Sequence, residues 1–185
     1  DKRLTITGGN YGVSLNNLYS YCYENDLIGY YQFDNSGTYV SDRVWCENNY
    51  GYLSGAVRTP GFTGDYSVDF DGDDDYLAID HDSVYNVSKV SISGWINIDD
   101  NETSDSVIFS NYNSGDHAGY ALSVTSDGNL EFKFGFGTNS GGCTSDEGIP
   151  ENKWTLVTAT YSSSIKLYIN DELVKTCNYG EDIQS

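Results

Sequence analysis

Between residues 90 and 98 apolar and polar side chains alternate without a break. Val90, Ile92, Gly94, Ile96 and Ile98 fall on one face, and Ser91, Ser93, Trp95 and Asn97 on the other. Residues 130–136 repeat the pattern: Leu130, Phe132, Phe134 and Phe136 point one way, Glu131, Lys133 and Gly135 the other. Ile165, Leu167 and Ile169 do the same against Lys166 and Tyr168. A period of two is that of a strand with one buried face, so these segments predict antiparallel strands. The turns between them fit. Ser126-Asp127-Gly128-Asn129 joins a strand over 120–125 to the one over 130–136 through an Asp-Gly pair, and Asn170-Asp171 joins 166–169 to 173–175.

The same reading extends along the chain. Residues 26–33 (DLIGYYQF) predict a strand and residues 34–52 a loop-rich stretch. Tyr66–Phe70 and Tyr76–Ile79 predict short strands around the acidic turn Asp71-Gly72-Asp73-Asp74-Asp75. The first 25 residues are less regular, with one strand over Leu4–Thr7 and a weak helical stretch over Ser14–Tyr21. No sustained helical period, repeat or linker appears. Many short strands at close spacing indicate an all-β sandwich or barrel.

Composition sharpens this. Among 185 residues there are 17 Tyr and 20 Gly but only 2 Pro and no Met, which suits strands and tight turns. The formal charge is −19, from 28 acidic against 9 basic residues. Such a chain repels phosphate backbones and anionic lipid, so nucleic acid is excluded as a partner. The apolar runs are far too short to span a bilayer, so no direct membrane insertion is expected. Four cysteines, Cys22, Cys46, Cys143 and Cys177, form no C-x-x-C pair and have only two His beside them, which argues against zinc. Their even number points to two disulfides and an oxidising compartment, hence a secreted or extracellular-surface location. Three pairings are open. Cys22–Cys46 with Cys143–Cys177 is favoured because each pair ties segments flanking the same part of a sandwich. Asn86 and Asn101 each head an N-x-[ST] sequon beside a predicted turn. A chain opening at Asp1 reads as a processed mature protein or an excised piece.

Five segments in order resemble the laminin G-like group of concanavalin A-like lectin/glucanase jelly rolls. They are 26–33, 68–79 (VDFDGDDDYLAI), 90–98 (VSISGWINI), 119–132 (GYALSVTSDGNLEF) and 152–174, the last with a Trp, a strand ending in Tyr and a hairpin reading LYIN. The resemblance implies an antiparallel two-sheet β-sandwich over residues 26–185, preceded by an N-terminal extension over 1–25. It also implies an adhesion or recognition role toward glycans or extracellular proteins. The chain departs from the group at both ends. The usual closing strand, with its G-x-I-D-E-V-like segment, is not found before Ser185, and some 25 residues precede the usual first strand. The chain is then a fragment, or its own N-terminal segment completes the sheet, or that segment is donated to a neighbouring copy in a filament or surface layer, since an open sheet edge needs cover.

Chemistry narrows the choice further. Laminarinase-like hydrolases on this architecture carry E-x-D-x-x-E, which sets carboxylates on one face of a strand. Here Glu24-Asn25-Asp26 begins the pattern, but Gly29 stands where the next Glu belongs. No G-x-S-x-G or H-E-x-x-H occurs. The chain is therefore expected to be no enzyme. Asp69, Asp71 and Asp73 alternate through the acidic turn and are the candidate calcium ligands, against a plain hairpin turn with solvated carboxylates. Trp45, Tyr50, Tyr52, Trp95 and Tyr112 are the candidate ligand-binding aromatics, either in loops or, for Trp95, on the polar face of its strand, where the alternative is packing beneath a loop.

Overall fold

The computed structural model describes residues 27–43, 50–80, 83–99 and 104–180, together with the backbone of residues 4–7. Cys22, Trp45, Cys46, Asn101, the helical stretch over 14–21 and the expected boundary at 25/26 lie outside the described residues. The architecture is all-β, an antiparallel sandwich of the jelly-roll kind. Its contacts cluster into two compact units, residues 3–82 and 83–185.

Among the described residues the first unit holds six short strands. β1 (Leu4–Thr7), β4 (Val57–Pro60) and β5 (Tyr66–Phe70) run in the order β1-β5-β4, with Leu4 opposite Phe70 and Val57 opposite Asp69. The N-terminal strand thus pairs within its own chain. β2 (Tyr39–Val40), β3 (Gly51–Ser54) and β6 (Tyr76–Ile79) form a three-stranded sheet in the order β2-β3-β6. Among the described residues Phe33, Val40 and Val68 form a buried cluster, and Tyr31, Leu53, Ala56, Phe70 and Leu77 pack on them. Of the strand expected over 26–33, the described residues 27–33 form none. A single bridge joins Tyr31 to Asp42, the Tyr30 N–H donates to the Asp42 carboxylate, and Phe33 turns into the left-handed region at φ 62°. These backbone groups are satisfied by a loop rather than a ladder, despite an apolar sequence.

The second unit is a two-layer sandwich in its own right. β7 (Val90–Ile98), β12 (Thr155–Tyr161), β13 (Ser164–Ile169) and β14 (Glu172–Asn178) run in the order β14-β13-β12-β7. β8 (Ser106–Ser110), β9 (Tyr120–Val124), β10 (Asn129–Gly135) and β11 (Ser140–Gly148) form the other layer in the order β11-β10-β9-β8. The alternating residues read from sequence face inward: Ile96, Ile98, Leu130, Phe132, Phe134, Ile165 and Leu167 are fully buried. Rings run through this core from Tyr85 by Phe109, Tyr120, Phe132, Tyr161 and Phe134 to Tyr179, with centroid spacings of 4.5–6.4 Å. Burial pushes the Tyr120 phenol up to about 12, with nearby Tyr85 adding to the shift.

The predicted turns hold their strands in register. Gly128 sits at φ 78° and its N–H donates to Thr125 O at 2.8 Å. Asn170 and Asp171 both have positive φ, 49° and 66°, as a two-residue type I′ hairpin requires. One edge of the sandwich is closed covalently. Cys143 on β11 and Cys177 on β14 form the expected disulfide, joining the edge strands of the two layers. Lys175 clasps both Asp146 oxygens at 2.6 and 2.7 Å across the same seam, and the Tyr179 hydroxyl accepts from the Gly142 N–H at 3.2 Å.

Candidate functional site

The β2-β3-β6 sheet has one face in the core and one in water. Tyr39 lies opposite Tyr52, Tyr52 opposite Ala78, and Ser54 opposite Tyr76. Side chains opposite one another share a face, so Tyr39, Tyr52 and Tyr76 all stand on the side away from Val40, Leu53 and Leu77. Tyr50, two residues before Tyr52, joins them: its ring meets that of Tyr39 edge-on at 6.1 Å. The four remain well exposed, at 47% for Tyr39, 41% for Tyr50, 55% for Tyr52 and 56% for Tyr76. Two of them, Tyr50 and Tyr52, were candidates from sequence.

Two side chains hold the backbone beneath Tyr39: the Asn35 Nδ2 donates to Tyr39 O, and Arg58 reaches it as well. Arg58 on β4 donates from Nη1 to Phe33 O at 2.7 Å, from Nη2 to Tyr39 O at 3.1 Å and from Nε to Gly37 O at 3.3 Å. The planar fork matches three carbonyls in the run from Phe33 to the start of β2. Burial lowers the Arg58 pKa from its usual value, and the charge of Asp34 opposes that shift. Asp34 is itself raised, first by burial and also by Asp65, against hydrogen bonding from the Tyr66 backbone and the charge of Arg43. It packs onto Gly64, where a Cβ would lie only 2.0 Å from Asp34 Oδ1.

The acidic turn leads directly into Tyr76. Carboxylate oxygens of Asp71, Asp74 and Asp75 lie within 4.8 Å of one another. Asp69, buried on β5, lines the same cleft with Gly55 and Val57. Gly55 is required there: it sits at φ 78°, and a Cβ would fall 1.8 Å from Asp75 Oδ1. The sequence expectation was Asp69, Asp71 and Asp73, by strand alternation. The structure groups Asp71 with Asp74 and Asp75 instead, because residues 71–75 turn rather than extend. Gly72 takes φ 79°, the Asp71 N–H donates to Asp75 Oδ2 at 2.9 Å, and the Asp73 N–H donates to Asp71 Oδ1 at 2.9 Å. Oxygens bound to one calcium at about 2.4 Å lie no more than about 4.8 Å apart, so the group fits part of such a shell.

The remaining candidates belong to the second unit. Trp95 points to the face of β7 opposite buried Ile96 and Ile98, is half-buried, and lies beside Leu156. Tyr112 is half-buried in the loop after β8, with its N–H on Ser110 Oγ. Asn86 is exposed just after a 3-10 turn over Ser83–Tyr85, so its sequon is sterically open.

Comparison with known proteins follows the fold. The binding domain of botulinum neurotoxin DC in complex with rat synaptotagmin II matches at TM-score 0.62 and 20% identity, covering 86% of this chain and 42% of that one. The receptor binding domain of botulinum neurotoxin D matches at TM-score 0.61 and 19% identity, covering 83% and 41%. Botulinum neurotoxin type C, whose cell entry depends on interaction with two ganglioside molecules, matches at TM-score 0.57 and 20% identity, covering 85% and 43%. The chain spans about two fifths of the length of these neurotoxin chains. At this identity the likeness is one of fold. No curated protein matches the sequence significantly. A laminin G-type family model, described as the concanavalin A-like lectin/glucanases superfamily, matches residues 71–185, more than half of the chain. The protein therefore belongs to the laminin G-like family of the concanavalin A-like lectin/glucanases superfamily.

Proposed function

We infer that the protein is a non-catalytic extracellular recognition module that binds glycans on the tyrosine face of β2-β3-β6, with calcium held at the neighbouring acidic turn. The observation that carries this reading is the set of four exposed tyrosines on one sheet face. Exposed rings at this density leave apolar surface in water that the core does not use. Each ring offers a flat apolar face for a pyranose and a hydroxyl for its rim. Support comes from similar folds, a botulinum neurotoxin type C whose cell entry depends on two ganglioside molecules and a neurotoxin DC binding domain in complex with rat synaptotagmin II. The disulfide across the seam of the second unit supports an oxidising location. Asp71, Asp74 and Asp75 would supply carboxylate oxygens to calcium, whose other ligands would be water or sugar hydroxyls.

A glycan array probed with and without millimolar calcium tests the reading. The expected result is calcium-enhanced binding to a defined glycan class, weakened about tenfold by Tyr52→Ala or Tyr76→Ala at unchanged Tm. Binding to no glycan in either condition would overturn it. So would glycan binding indifferent to both tyrosines.

A further inference from the structure

Residues 83–88 of the second unit hold a motif that ligand recognition does not use. Asn86, Val87 and Ser88 form an N-x-[ST] sequon whose middle residue is not Pro. The 3-10 turn over Ser83–Tyr85 precedes it, and β7 begins just after it at Val90. The backbone is pinned at this point. Tyr85 is buried, with its ring centroid 6.3 Å from that of Phe109. Its carbonyl accepts from Asn111 Nδ2 at 3.1 Å and from the Val87 N–H at 3.1 Å. The Asn86 N–H donates to Ser83 O at 3.0 Å. Asn86 therefore stands on a fixed base, with its own backbone donor satisfied.

What sets Asn86 apart from other loop asparagines is its side chain. An Asn in a turn ordinarily earns its place by bonding its amide to backbone groups. Asn35, Asn111, Asn113 and Asn170 all do so. Asn86 does not. Its side-chain amide and the Ser88 hydroxyl make no hydrogen bond with any described residue, and both residues are exposed. Turn chemistry therefore does not account for Asn86. Val87 between them is half-buried, which leaves the two polar side chains on the outside. A group attached at Asn86 Nδ2 would break no bond of the fold. It would also leave the buried Tyr85 and its two hydrogen bonds untouched. These are the conditions a bulky, hydrophilic modification needs.

We propose that Asn86 is an N-glycosylation site and carries an oligosaccharide outward from the second unit. The proposal rests on the extracellular reading, because the transfer belongs to the secretory route. In it Asn86 Nδ2 forms a bond to the anomeric carbon of a polyprenyl-diphosphate-linked oligosaccharide. The bond from that carbon to the diphosphate oxygen breaks, polyprenyl diphosphate leaves, and the amide gives up one proton. The site shares no residue with the tyrosine face. The experiment directs the full chain into the secretory path of a glycosylating host, with Asn101→Gln in place so that any N-glycan reports Asn86. Intact mass before and after peptide N-glycosidase reads occupancy, and peptide mass spectrometry locates the aspartate that the enzyme leaves. The expected result is a glycan on most secreted chains, lost in Asn86→Gln and in Ser88→Ala and kept in Ser88→Thr. Made without glycosylation, the Asn86→Gln chain should melt within about 1 °C of its parent, since the side chain holds nothing. A bare Asn86 in secreted chains whose Cys143–Cys177 disulfide has formed overturns the proposal and leaves the extracellular reading standing. Free thiols at those two cysteines in the secreted chain overturn that reading and the proposal with it. A glycan that survives Ser88→Ala, or a loss of several degrees in the unglycosylated Asn86→Gln chain, also overturns the proposal.

Discussion

Residues 83–185 and residues 27–80 use their aromatic side chains in opposite ways. In the second unit Tyr120, Phe132, Phe134 and Tyr161 are essentially inaccessible and touch one another in a continuous series. In the first, among the described residues, Phe33, Val40 and Val68 form a buried cluster, and Tyr39, Tyr50, Tyr52 and Tyr76 stand in water. The second unit holds two layers together by a disulfide and a bidentate ion pair at their edges. The first holds its loop by hydrogen bonds from Arg58 to three carbonyls. The contrast separates two roles that a sandwich of this size must combine. One part concentrates packing, and so supplies rigidity. The other leaves four tyrosine rings outside the core, which the proposed function assigns to a ligand.

The largest expected effect tests that division. Phe132 is fully buried between Tyr120 and Tyr161, so Phe132→Ala should lower stability by about 3–5 kcal/mol. Leu53 is only partly buried against the Phe33, Val40 and Val68 cluster of the first unit, and Leu53→Ala should cost about 1–2 kcal/mol. Urea unfolding followed by circular dichroism measures both. Equal losses would show that the first unit is as tightly packed as the second and would remove the contrast.

Next comes the covalent edge. Cys143 and Cys177 enclose 34 residues of sequence separation, so replacing both by Ser should cost about 3–4 kcal/mol through the freed unfolded chain. The Lys175–Asp146 pair across the same seam is partly exposed, with side-chain accessibilities of 32% and 71%, and contributes at most about 1 kcal/mol. Thermal melts of the double variant and of Lys175→Ala rank the two. A larger loss from the lysine than from the cysteines would mean the seam is held by charge.

How far these features are legible in the sequence depends on which force places them. Val90–Ile98 and the inward triplets at 130–134 and 165–169 were readable because burial on one face writes a period of two into the residues themselves. The Asp-Gly and Asn-Asp turns were readable because positive φ restricts the choice of residue. β11 (SGGCTSDEG) was not, since its buried side chains are Cys143 and Ser145 and no large apolar residue alternates. β4 and β8 were likewise passed over. The segment 26–33 misled because apolar content does not say whether a partner strand exists. The site was half legible. Tyr50 and Tyr52 could be named as loop aromatics, but Tyr39 and Tyr76 join them only through the pairing of three strands that are distant in sequence. The acidic turn showed its composition but not which carboxylates come together, because a left-handed glycine at 72 breaks the alternation from which Asp69, Asp71 and Asp73 were grouped.

The smallest expected effect lies in the loop that carries Tyr39. Asp34 has its pKa raised, and burial is the first cause; the upward direction means that desolvation outweighs the favourable hydrogen bonding from Tyr66 and the charge of Arg43. A carboxyl raised on folding is stabilised in its protonated form. Its contribution is therefore most favourable below the ordinary Asp value of 3.8 and is lost as pH rises through the folded pKa. At neutral pH the charged group is a net cost to the fold, kept small because Asp34 is only partly buried. Asp34→Asn keeps the shape against Gly64 and removes the charge. It should raise Tm at pH 7 by about 1–2 °C, within the about 0.5 kcal/mol usual for such sites, and the gain should vanish near pH 3. A melt series from pH 3 to 8 on both proteins reads the difference. A loss of stability at pH 7 that disappears on acidification would instead mean that the charge of Asp34 holds the loop through Arg58 and Arg43, and that the tyrosine face rests on electrostatics rather than on the carbonyl fork.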